Sequence, residues 1–159
     1  MALHGVTAVK RKLVANSWAL DSATVAALSY CGCLMPAQTP REIHRLFLDA
    51  FNSGSIDGLL ALYEDNAAFV NGDGSVMHGL AALRPVLEGF LGMKGRMEME
   101  TVSVLEGGGD VALLSGRWVL SAIGPDGGPV RMTGTSHEVA RLGTDGAWRY
   151  VIDDPGVGR

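Results

Sequence analysis

His137 and Asp153 are the two side chains whose types and positions best suit them to move a proton. His137 lies in the long strand-like run from Val130 to Leu142, and Asp153 closes the run that starts at Trp148. An imidazole aimed into a cavity exchanges protons at neutral pH and serves as a general base. The competing reading is a strand histidine bonded to Thr135 or Glu138. Asp153 and Asp154 are adjacent and project to opposite sides of an extended chain, so together they make no carboxylate dyad. Asp154 reads as a turn residue before Pro155, which leaves Asp153 as the candidate at the strand end. His78 and Asp73 fall at the end and in the turn of a hairpin, where a solvated histidine and a backbone-bonding aspartate are expected.

Other chemistries lack their residues. The histidines are scattered at positions 4, 44, 78 and 137, and Cys31 and Cys33 are the only cysteines. No H-E-x-x-H helix or G-x-S-x-G elbow occurs, and Gly107-Gly108-Gly109 has no lysine or helix opening to make a phosphate loop. No metal and no cofactor are expected. The net charge of -4 and pI near 5.5 offer no basic field, which argues against nucleic acid and membrane surfaces as partners.

The elements that must position the candidates follow from periodicity. A chain of 159 residues with 47% apolar content fits one folded domain. Residues 1–37 read as an N-terminal extension, weakly ordered or loosely docked. Lys10, Arg11 and Lys12 precede an apolar run in the order of a secretory signal, but Asn16, Ser17, Asp21 and Ser22 interrupt its centre, and no membrane span is expected. A cytoplasmic protein is the preferred reading, with secretion as the alternative. The domain is placed at 38–155, with a tail at 156–159.

Thr39, Pro40 and Glu42 predict a capping box that opens a first helix at Pro40. Ile43, Leu46, Phe47, Ala50 and Phe51 give that helix one apolar face, and Gly54 stops it. Ser55 caps a second helix whose stripe is Ile56, Leu59, Leu60 and Tyr63. Asn71-Gly72-Asp73-Gly74 predicts a tight hairpin between Ala67–Asn71 and Ser75–His78. A third helix is expected from Leu80 to Leu91, kinked or broken by Pro85. Four strand-like runs, joined by glycine-rich turns, then form an antiparallel meander over Met97–Leu105, Val111–Ile123, Val130–Leu142 and Trp148–Ile152. Helices followed by strands predict an α+β fold. Apolar residues on both alternating faces of the long strands predict that helices cover one sheet face and a second subunit the other, a homodimer through the sheet. Arg117, Arg131, Arg141 and Arg149 are read as a surface laced with Glu98, Glu100 and Glu138.

Three segments carry a family resemblance: N-S-G-S-I-D-G-L-L-A-L-Y from Asn52, F-V-N-G-D-G-S-V-M-H-G from Phe69, and W-R-Y-V-I-D-D-P from Trp148. Over Gln38 to Pro155 the chain resembles the SnoaL-like branch of the ketosteroid isomerase and nuclear transport factor 2-like superfamily. The resemblance implies three N-terminal helices packed in the concave face of a curved, mostly antiparallel sheet, a cone of cystatin-like topology. The isomerases in that superfamily place a catalytic carboxylate on the first strand, a tyrosine on the first helix and a protonated aspartate in the sheet. Motif matching puts Asn71 at the carboxylate position and Phe47 at the tyrosine position, with the sheet aspartate near Ser136 or His137. These departures argue against steroid-type isomerisation.

Two functions remain. One is a cofactor-free isomerase, cyclase or dehydratase acting on a small carbonyl compound, with His137 or Asp153 as base. The other is a non-catalytic ligand-binding or dimerisation module. Either would use an apolar pocket for a small apolar molecule, expected to be lined by Phe47, Tyr63, Phe69, Asn71, Met77, Phe90 and Trp118.

Overall fold

The computed structural model describes residues 36–157, so nearly all of the expected extension and the last two residues of the tail lie outside the described residues. Helix α1 (Pro40–Ser53) opens with proline in its first turn. The expected capping box is not formed. The Thr39 side chain makes no cap, and the Glu42 carboxylate instead accepts the Gln38 N–H at 2.8 Å, one residue further out. Gly54 ends the helix in the left-handed conformation at φ +74°. Ser55 caps the short α2 (Ile56–Leu60), its Oγ accepting the Gly58 N–H at 3.1 Å.

Tyr63 does not continue the stripe of α2. The chain leaves the helix at Ala61, and Tyr63 opens strand β1 (Tyr63–Val70), because the Leu62 carbonyl is taken by the Tyr150 N–H at 2.7 Å. A hairpin leads to β2 (Val76–His78) and then to α3 (Leu80–Gly92). Pro85 sits inside α3, whose first turn is not broken. Pro85 and Ala81 are both exposed, so the carbonyl that loses its helical partner lies on the solvent side.

Strands β3 (Arg96–Glu106), β4 (Val111–Ile123), β5 (Pro129–Leu142) and β6 (Trp148–Asp154) form the antiparallel meander. The six-stranded curved sheet has the order β2-β1-β6-β5-β4-β3, with β1 and β6 its one parallel pair. Helix α1 packs on β3, β4 and β6, while α3 packs on β1 and β2, so the helices fill the concave face. Ile43, Leu59, Leu83, Leu114, Leu120 and Tyr150 are at the centre of the core. Ala37 pairs with Trp148, its carbonyl accepting the Trp148 N–H at 2.9 Å, so sheet pairing begins one residue ahead of Gln38.

Two irregularities decide which side chains look inward. The register shifts between Thr101 and Ser103 in β3, and again where Val139 faces Ile152 but Ala140 faces Tyr150. Val151 is thus an extra residue in β6. A bulge of this kind reverses the alternation beyond it, and so Tyr150 and Asp153, three apart, are both buried.

Gly134 lies opposite Trp118 across β4 and β5, and a Cβ there would fall 2.6 Å from the Pro155 carbonyl oxygen and 2.7 Å from the indole ring. Neither neighbour is a free side-chain end. Gly134→Ala is expected to destabilise the fold by about 1–3 kcal/mol, as overpacking does, and chemical denaturation measures the loss.

Candidate functional site

The concave face holds a cavity of about 500 Å³, its open mouth included. Helix α1 contributes Phe47 and Phe51, β1 Phe69, α3 Leu87 and Phe90, and the sheet Met97, Met99, Trp118 and Tyr150. These walls are apolar. The polar groups are concentrated on β5 and β6, where Ser136, Glu138 and Asp153 reach the same space. The Trp118 indole N–H donates to the Pro155 carbonyl at 2.8 Å, which fixes the ring as a wall.

Glu138 and Asp153 are directly opposed across the β5–β6 pairing. Both are buried, at 3% and 6% exposure. The Tyr63 hydroxyl donates to Asp153 Oδ2 at 2.5 Å. Glu138 Oε2 lies 3.3 Å from His44 Nε2, and His44 Nδ1 lies 2.9 Å from Thr101 Oγ1. The network therefore runs from Thr101 through His44 to Glu138, and from Asp153 to Tyr63. Tyr150 packs between the two arms, its ring 5.1 Å from that of Tyr63 and 6.4 Å from that of His44.

Burial pushes the Asp153 carboxyl up to about 7, the negative charge of Glu138 adds to the rise, and the Tyr63 hydrogen bond opposes it. Burial likewise raises the phenols of Tyr63 and Tyr150 well above their ordinary value, with Asp153 and Glu138 contributing. Near neutral pH the site thus contains a carboxyl that can either donate or accept a proton, beside a second carboxyl, at the base of an apolar cavity. That is the equipment of general acid and base catalysis. Among the described residues, no group of three or more His, Cys, Asp or Glu side chains is arranged to hold a metal ion.

The structure redistributes the expected site residues. Phe47, Phe69, Phe90, Trp118 and Asp153 line the cavity. His137 does not. It is exposed on the opposite face of β5 from Ser136 and Glu138, 3.0 Å from Ser115 Oγ, because neighbouring strand residues point to opposite sides. The assignment of His137 as base is therefore corrected. Tyr63 is buried behind Asp153 and is not part of the wall. Asn71 is in the hairpin turn, where its side-chain amide donates to Ser75 Oγ at 2.9 Å, and Met77 packs on the core from β2; neither lines the cavity. Asp73 is a turn residue that accepts from Ser75, and those hydrogen bonds hold its carboxyl below the usual range.

Glu138, His44 and Tyr150 were missed. Glu138 was read as part of a charged surface, which Arg117 and Glu100 do form at 3.9 Å. The signal available for His44 was its spacing: it stands four residues after Pro40 and seven before Phe51, on the buried face of α1.

Comparison with known proteins agrees with this architecture. Residues 44–151 match the family model of the SnoaL-like domain. No curated protein matches the chain significantly. A ketosteroid isomerase-like protein from Erwinia carotovora atroseptica superposes with a TM-score of 0.66 at 16% identity, over 75% of this chain and 93% of that one. An NTF-2 like protein of unknown function from Shewanella oneidensis gives 0.62 at 15% identity, over 72% and 93%. A protein with a cystatin-like fold from Caulobacter vibrioides gives 0.63 at 16% identity, over 75% and 87%. At these identities the likeness establishes the fold alone.

The raised Asp153 carboxyl has a thermodynamic signature. Between the ordinary aspartate value near 4 and about 7, the folded chain binds more protons at this group than the unfolded chain, so its contribution to stability falls as pH rises. Asp153→Asn removes that slope. Urea denaturation from pH 4 to 8 is expected to show the wild type losing a few kcal/mol relative to the variant, at about 1.4 kcal/mol per pKa unit, with the loss complete above pH about 7.

Proposed function

The chain belongs to the SnoaL-like domain family, and from that premise we propose that its cavity binds a small apolar carbonyl compound and acts on it without a cofactor. The observation that carries this reading is the pairing of Asp153 with Glu138 at the end of an aromatic-walled space. A protonated Asp153 donates a hydrogen bond to the carbonyl oxygen. Glu138 accepts a proton from the carbon beside that carbonyl, so that Asp153 gives its proton to the oxygen as the enol forms. Return of a proton to a different carbon makes the reaction an isomerisation, and loss of a β-hydroxyl as water makes it a dehydration. Attack of the enol carbon on a second carbonyl of the same molecule makes it a cyclisation. The apolar walls favour ring-shaped or branched hydrocarbon frames. If there is no turnover, the same contacts serve a ligand-binding module.

A matched pair of probes, 1-tetralone and 1-aminotetralin, tests the carbonyl reading by calorimetry across pH 5.5 to 8.5. Ketone binding requires the protonated Asp153, so its affinity is expected to fall by about tenfold per pH unit once pH exceeds about 7. Asp153→Asn keeps a donor at every pH and flattens the profile. Tighter binding of the amine with rising pH would instead identify a cation site and overturn the carbonyl assignment.

A second role, dimerisation, is favoured by a separate observation on the convex face. Leu105, Leu113, Val139 and Ile152 are in register across β3, β4, β5 and β6, and Leu105, Leu113 and Ile152 are 62%, 43% and 43% exposed. We assign this row to a second copy of the chain, because an aligned apolar row on a broad sheet is costly to leave in water. Sedimentation analysis is expected to show a dimer for the wild type and a folded monomer for Leu113→Asp. A monomeric wild type would end the assignment.

A further inference from the structure

We propose that His44, held in place by Thr101, is the positioning residue that decides which of the two buried carboxyls carries the proton: it keeps the charge on Glu138 and leaves the hydrogen on Asp153. The inference deepens the reading of the cavity as the ligand site, for it assigns that site a fixed donor and a fixed acceptor.

The groups that face the carboxyl pair come from every element packed around it. They are Tyr63 from β1, Tyr150 and Asp154 from β6, Ser136 from β5, Thr101 from β3 and His44 from α1. Of these, only His44 can bring a positive charge. Asp153 has one donor, the Tyr63 phenol, which stays neutral because burial and the nearby carboxyls hold its proton. Glu138 faces the imidazole, whose Nε2–H donates toward Oε2 at 3.3 Å. When two carboxyls share one proton, the neighbour that offers the stronger interaction to an anion takes the charge. The imidazole is the neighbour able to add a positive charge to its hydrogen bond, which the buried phenol cannot do.

The ring is also fixed in place. Thr101 Oγ1 holds Nδ1 at 2.9 Å, from the β3 position just before the register shift. Room for the imidazole comes from Gly116 on β4, where a Cβ would lie 3.3 Å from His44 Cε1 and 2.9 Å from Ser136 Oγ. A glycine in the middle of a strand weakens it, so this one is explained by the close approach of the helix-borne ring.

The test uses the ligand-free protein, labelled with ¹³C at the aspartate and glutamate carboxyls and titrated by NMR. In the wild type the Asp153 carbon is expected to titrate near neutrality. In His44→Leu the proton moves to Glu138 and the Asp153 transition drops by about 1–3 pH units, the size of a neighbouring-charge effect. Thr101→Val loosens the ring without removing it and gives a smaller drop in the same direction. His44→Gln retains an N–H donor but no charge, so it also lowers the Asp153 transition, and it carries the test if the leucine variant does not fold. An unmoved Asp153 transition in a folded His44 variant overturns the proposal. Failure of 1-tetralone to bind would count against the carbonyl reading and leave this titration unaffected, so the two can fail separately.

Discussion

The parallel pairing of β1 with β6 is the constraint on which the rest of the domain depends. It brings the strand that follows the first two helices against the last strand of the meander, with Tyr63 beside Tyr150 and Phe69 beside Asp153. Without it the sheet would end at β6, and the cavity would lose both the Phe69 wall and the phenol that holds Asp153. Helix α3 packs on β1 and β2, so its side chains reach the cavity only because β1 is in place. A local backbone choice near Leu62 thus has long-range consequences. The Leu62 carbonyl that would have extended α2 is spent on Tyr150 instead.

Burying two carboxyls side by side is unfavourable, and the structure bears the cost locally. Each carboxyl has a donor, and among the described residues no buried side-chain nitrogen or oxygen lacks a hydrogen-bond partner. Hydrogen bonds lower the penalty without cancelling it, which is why Asp153 remains raised. Replacing buried charged groups by well-packed apolar residues is often neutral or stabilising. A buried carboxyl with a raised proton affinity at a cavity wall is the kind of group that makes a candidate functional site.

Strand alternation separates the two faces of the meander. On β5, Ser136, Glu138 and Ala140 are buried on the concave side, while His137 and Arg141 are exposed on the other. The same alternation sets Leu113 outward between the inward Ala112 and Leu114 on β4. The proposed ligand chemistry and the proposed subunit contact therefore draw on different residues of the same strands. A change on one face can leave the other intact, and this is why Leu113 and Asp153 are separable probes.

Much of the fold was legible in the sequence, because it depends on short-range chemistry. The spacing of Ile43, Phe47 and Phe51, the stop at Gly54, the Asn71 to Gly74 hairpin and the glycine-rich joins each specify local backbone geometry. The α+β order followed from them, the SnoaL-like resemblance rested on the segments beginning at Asn52, Phe69 and Trp148, and four of the aromatic residues expected in the pocket line the cavity. The site's proton chemistry was only half legible. Asp153 stood out by its place at a strand end, but its partner did not, since sequence neighbours cannot show which strand residues meet. Strict alternation counted from Tyr150 would turn Asp153 outward, and only the extra residue at Val151 turns it in. His137 and Glu138 are adjacent, so one of them had to face the cavity. The sequence offered the histidine as a candidate base and Glu138 only as a surface charge, whereas in the structure Glu138 is the one on the concave side, facing His44 from α1. Local pattern determined the elements of this protein. Register, bulge and helix docking, which arise only when distant segments pair, determined which of its polar side chains share a cavity.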